Sequence, residues 1–96
     1  MEQKIQLLHP SGKRAVRIDI NKYVAIKKAL LNCLKQKKEL THKEILQSVI
    51  DYFKKNKIKF EGSVEWYMES VKLDLEANKI IERVYDKSRL KFKLAK

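Results

Sequence analysis

The chain has 96 residues, with 23 Lys and Arg against 12 Asp and Glu, for a net charge of +11. At 44% hydrophobic and 36% charged residues it suits one domain with its own core, which excludes a disordered tail. Its single cysteine, Cys33, excludes an internal disulfide and points to a reduced, cytoplasmic setting. The opening "MEQKIQLLHP" lacks the apolar core of a signal peptide, and no apolar run approaches the length of a membrane span.

Residues 1–19 predict an extended arm or a short hairpin. Ile5, Leu7 and Leu8 precede a His-Pro-Ser-Gly turn at 9–12, and Val16, Ile18 and Ile20 then alternate with Arg17 and Asp19. Asp19 is placed to cap the helix that follows. Over 20–36, Tyr23, Ile26, Leu30, Cys33 and Leu34 recur three and four apart, and Val24 and Leu31 widen the buried face of a first helix. "THKE" at 41–44 is a capping box for a second helix, with Ile45, Leu46, Val49, Ile50 and Phe53 on its apolar side and an end near Asn56. Lys54, Lys55, Lys57 and Lys59 crowd that end, where positive charge offsets the helix dipole; the bland account of the run is preferred to a functional patch.

Ser63 caps a third helix, with Val64, Met68, Val71 and Leu75 as its core stripe and Tyr67 beside it. Asn78 suits the left-handed residue that ends many helices. This helix departs from the charge of the chain: residues 61–78 hold five acids and one lysine, Lys72. The last segment changes to a period of two. Ile81 and Val84 form one strand, 86–89 a turn, and Leu90, Phe92 and Leu94 alternate with Lys91 and Lys93, a hairpin with an apolar and a lysine face.

Together these elements predict one α+β, mainly α domain: a core over 20–95 of three helices and a two-strand β-wing, preceded by the arm. This is the winged-helix arrangement, in which Leu40 would add a short third strand beside the wing. The motifs "HPSGK", "RID", "FEGSVEWYMESVKLDLEA" and "IERV" resemble a small bacterial family of uncharacterised winged-helix-like proteins across nearly the whole chain. The resemblance implies the fold and carries no activity with it.

Catalysis finds no support. His9 and His42 are the only imidazoles, Cys33 lies on an apolar helix face, and Ser63 serves better as a cap than as a nucleophile. No metal-ligand spacing or phosphate-binding glycine loop occurs, so neither a cofactor nor a small-molecule substrate is expected. A non-enzymatic partner-binding role remains, and two classes of partner compete. Double-stranded DNA would meet Lys13, Arg14 and Arg17 of the arm and Lys87, Arg89, Lys91 and Lys93 of the wing. Contact with about five phosphates would cost roughly 500-fold in affinity between 50 and 200 mM salt. The third helix would not lie in the groove as a reading helix, because each carboxylate near a phosphate costs about 1 kcal/mol even in water. Only its first turn, at Ser63, Trp66 and Tyr67, could approach the backbone. The alternative is protein interaction or self-association, in which Glu65, Glu69, Trp66 and Tyr67 would face a charged partner. The plainer role for Trp66 is to cover the junction of helix three and the wing, against Ile80 or Phe92.

Overall fold

A computed structural model describes residues 3–13 and 15–95. Two three-residue strands pair as a short antiparallel hairpin, β1 (Lys4–Gln6) with β2 (Arg17–Asp19), in the register Ile5 opposite Ile18. Three helices follow: α1 (Ile20–Gln36), α2 (His42–Lys55) and α3 (Val64–Ala77). A second antiparallel hairpin, β3 (Ile81–Asp86) with β4 (Arg89–Leu94), ends the chain. The α+β class, the three helices and the C-terminal hairpin are as expected. Of the two forms expected for residues 1–19, the hairpin is the one present.

Apolar periodicity accounts for the core. Tyr23, Ile26, Leu30, Cys33 and Leu34 of α1 meet Ile45, Val49 and Phe53 of α2 and Met68, Val71 and Leu75 of α3, all buried. Leu7 and Ile18 close the core from the N-terminal hairpin, Ile81 and Phe92 from the C-terminal one. Leu40 is fastened to that second hairpin as expected: its N–H and carbonyl exchange hydrogen bonds with those of Phe92, at 3.0 and 2.8 Å. Val24 departs from the expected stripe and is 54% exposed, because the buried arc of α1 is satisfied by the positions on either side of it.

The local stop and start signals hold at two of three helix starts. Thr41 Oγ1 accepts from the Glu44 N–H while Glu44 returns the bond to the Thr41 N–H, a complete capping box that holds the Glu44 carboxyl below its usual range. Ser63 accepts from the Trp66 N–H. Asp19 occupies the cap position of α1 but makes no side-chain cap bond. At the end of α3 the left-handed residue is Lys79 (φ 60°), not Asn78 (φ −87°); the Asn78 amide instead donates to the Asp74 carbonyl at 2.9 Å.

Two buried groups in the core tie stability to alkaline pH. Burial, then the hydrogen bond and charge of Asp74, push the Tyr23 hydroxyl up to about 12, and burial pushes the Cys33 thiol up to about 11. In both cases the folded state keeps a proton that the unfolded chain gives up sooner. Their contribution is therefore whole at neutral pH and is lost as pH rises from 9.0 towards 11 for Cys33 and from 10.0 towards 12 for Tyr23. The urea midpoint should fall above pH 9, and Cys33→Ala should flatten the first part of that fall; an unchanged profile in the variant would remove Cys33 as its source.

Candidate nucleic-acid interface

The sequence assigns a binding role to charged side chains on three elements, and the fold treats each differently. On the C-terminal hairpin, the two-residue turn Lys87-Ser88 has both residues left-handed (φ 48° and 72°), which sets Asp86 opposite Arg89. That register puts Glu82, Val84 and Asp86 on the same face as Lys93, Lys91 and Arg89. Lys93 pairs with Glu82 at 3.2 Å and Lys91 with Asp86 at 3.5 Å. Half of the expected lysine face is thus neutralised from the neighbouring strand. Only the tip, Lys87 and Arg89, presents exposed cations with no ion pair among the described residues.

On the N-terminal hairpin, Lys13 and Arg17 are exposed, while Arg14 lies outside the described residues. Lys4, across from Asp19, joins them. Lys4, Arg17 and Lys22 line one groove with Trp66 and Tyr67 from the first turn of α3; Asp19 and Glu61 contribute its acids. Trp66 is 47% exposed and stands beside the N-terminal hairpin, so it does not cover the junction with β3 and β4. Tyr67 meets the indole edge-on at 4.9 Å, and Lys22 Nζ lies 4.8 Å from the Tyr67 ring centre. Gly62 makes this packing workable: it is left-handed (φ 99°), and a side-chain carbon there would come within 3.1 Å of the Tyr67 ring.

The third element, α3, is much less acidic towards solvent than its composition suggests. Asp74 is buried, accepting from Tyr23 Oη at 2.9 Å and from the Leu8 N–H at 2.8 Å. The Glu76 side chain is 7% exposed and binds Arg83 Nε at 2.8 Å. Glu65 pairs with His42 Nε2 at 3.2 Å. Glu69 remains exposed with no ion pair among the described residues. The continuous negative face expected of this helix is therefore absent. Its solvent side offers Glu65, Trp66 and Glu69, and no cation, because Lys72 is buried.

Lys72 was legible only as a surface charge, yet it closes the seam between α2, α3 and the C-terminal hairpin. Its Nζ lies 2.8 Å from His42 Nδ1 and 4.0 Å from the centre of the Phe92 ring. An ammonium can only donate, so Nδ1 accepts and the imidazole proton sits on Nε2, facing Glu65. Burial holds the Lys72 ammonium below the usual lysine range, outweighing the attraction of Glu76 and Glu69. Keeping a cation here thus costs stability at neutral pH, a cost relieved as pH rises towards 10.5, opposite in sign to Tyr23 and Cys33. Lys72→Met, which keeps the apolar stem, should lie within about 1 kcal/mol of the parent or above it in urea unfolding. A loss of more than about 2 kcal/mol would mean that the contacts to His42 and Phe92 outweigh desolvation.

Residues 4–92 match one family. The chain belongs to DUF6958, a family of unknown function. No curated protein and no solved structure matches it. In this DUF6958 chain no helix among the described residues is long and apolar enough to cross a membrane. The candidate interface of the DUF6958 domain thus rests on its own geometry: exposed cations without an ion pair among the described residues at Lys13, Arg17, Lys87 and Arg89, and an aromatic groove at the start of α3.

Proposed function

We propose that this is a non-enzymatic, cytoplasmic, winged-helix-type module that binds nucleic acid through its phosphates. In that reading the N-terminal hairpin is the arm and the C-terminal hairpin the wing. The observation that supports it is the uncompensated charge. Among the described lysines and arginines only Arg83, Lys91 and Lys93 form ion pairs, and they do so in a chain of net charge +11. Such an excess is costly to the folded state by itself and attracts a polyanion from a distance. Contact by Lys13 and Arg17 on the arm and Lys87 and Arg89 on the wing tip carries no base preference, so weak sequence selectivity is expected. The N-terminal turn of α3 can approach the strand, but its exposed Glu65 and Glu69 keep the rest of the helix out of a duplex groove.

A labelled mixed-sequence duplex titrated at 50 mM and at 200 mM salt tests the proposal. Binding at the lower concentration that collapses at the higher one is expected; no binding at 50 mM overturns it. Exposed Trp66 favours a second reading, association with a protein or with a second copy of the chain, since a half-exposed indole is a common anchor at interfaces. Light scattering over the same salt range separates the two, because only self-association changes the mass in the absence of DNA.

A further inference from the structure

We infer that the groove at the start of α3 is a seat for one unpaired nucleobase, so the strand bound by this chain is single-stranded where it crosses Trp66. The inference rests on the nucleic-acid reading and adds the state of the ligand to it. Three features of the groove carry it. Its wall holds the only tryptophan of the chain, left 47% exposed in a domain whose other large aromatic rings, Tyr85 apart, are buried or partly buried. Its rim holds Lys4, Arg17 and Lys22, from the two strands of the N-terminal hairpin and the first turn of α1, within reach of one ligand. Its aromatic wall is braced rather than loose. Phe53 stacks on Phe60 at 5.3 Å, Phe60 meets Tyr67 edge-on at 5.3 Å, and Tyr67 meets Trp66. Lys22 holds the Tyr67 hydroxyl at 3.4 Å.

A flat aromatic surface beside a cluster of cations is the arrangement that recognises a base together with its flanking phosphates. The base stacks on the indole, and the phosphates on either side meet Lys4 and Arg17. Asp19 and Glu61 in the same groove limit the ligand. They tolerate one or two phosphates held by nearby cations but repel the dense double row of a duplex backbone. A duplex also keeps its bases stacked on one another, out of reach of a side chain in a groove this local. A single strand with splayed bases meets both conditions.

Trp66 reports on its own contact, since no other indole contributes to the fluorescence. At 50 mM salt, oligothymidylate of twelve residues should quench that emission on saturation, while a blunt twelve-base-pair duplex should bind without comparable quenching. By anisotropy with labelled oligonucleotide, Trp66→Ala should weaken single-strand binding by about 5- to 150-fold, the range for loss of one base stack, and leave duplex binding unchanged. Trp66→Phe, which keeps a ring, should recover most of the loss, with far-UV circular dichroism showing that both variants retain their helices. Saturating single-strand binding without quenching, or an unchanged affinity in Trp66→Ala, overturns the base seat and leaves the phosphate reading standing. Failure of both oligonucleotides to bind overturns the two together. Quenching that accompanies a doubling of mass without DNA assigns the indole to self-association instead.

Discussion

Replacing Lys87 and Arg89 together with alanine should cut the salt dependence of DNA binding by half. With four phosphates neutralised, by Lys13, Arg17, Lys87 and Arg89, the affinity of the parent should fall roughly 150-fold between 50 and 200 mM salt, from a slope near −0.9 per contact. With the tip removed, two contacts remain and the same change of salt should cost only about 12-fold. The paired lysines supply the internal control. Lys91 and Lys93 already lean on Asp86 and Glu82 across the strands, with side chains 23% and 35% exposed. Their alanine variants should leave the slope nearly unchanged, because a cation held by a carboxylate releases fewer counterions from the strand. Exposed pairs of this kind contribute only about 0–1 kcal/mol to stability, so neither set of substitutions should unfold the domain. If the Lys91 and Lys93 substitutions reduced the slope as much as the tip substitutions did, the division of the hairpin into a free tip and a neutral blade would be wrong.

That division was within reach of the sequence. Once Lys87-Ser88 is taken as a two-residue turn, counting outward pairs Asp86 with Arg89 and Glu82 with Lys93, and the neutral blade follows. A turn spread over 86–89 hides it. The caps at Thr41 and Ser63 were legible for the same reason, since their partners lie three residues away. Lys72 and Asp74 were not legible. Both sit in an acidic, amphipathic helix whose charges read as a solvated face, and what buries them comes from distant segments. His42 lies 30 residues from Lys72, and Tyr23 and Leu8 lie 51 and 66 from Asp74. Periodicity can state that a residue is off the apolar stripe. It cannot state that a second hairpin will be laid over that side. Trp66 failed in the complementary way: its size argued for cover, and the element near it proved to be the N-terminal hairpin, at Lys4, Arg17 and Asp19, rather than the apolar side of the C-terminal one.

Asp74 is where the arm, α1 and α3 are fastened together, so its removal should be the most destabilising single change considered for this chain. Its two oxygens accept one bond each, from buried Tyr23 and from the Leu8 amide. Asp74→Ala leaves both donors without a partner, at about 1–3 kcal/mol per stranded group, and should cost ~3 kcal/mol in all. For a domain of this size that lowers the melting temperature by ~15 °C. Asp74→Asn should cost much less. The amide oxygen can still accept from the Leu8 N–H, and the amide nitrogen can donate to the Tyr23 hydroxyl, which turns to accept. Tyr23→Phe should make Asp74→Ala less costly than in the parent, since one stranded donor is gone; the departure from additivity measures the shared bond. The loss should also reach the proposed interface. Leu8 immediately precedes the turn that leads to Lys13, so an arm released from α3 holds that cation, and Arg17 beyond it, less firmly in place. Asp74→Ala should therefore accelerate amide exchange at Leu8 and weaken DNA binding at temperatures well below its melting point. A variant that melted within about 1 kcal/mol of the parent, with Leu8 still protected, would show that the hairpin is held by Leu7 and Ile18 alone.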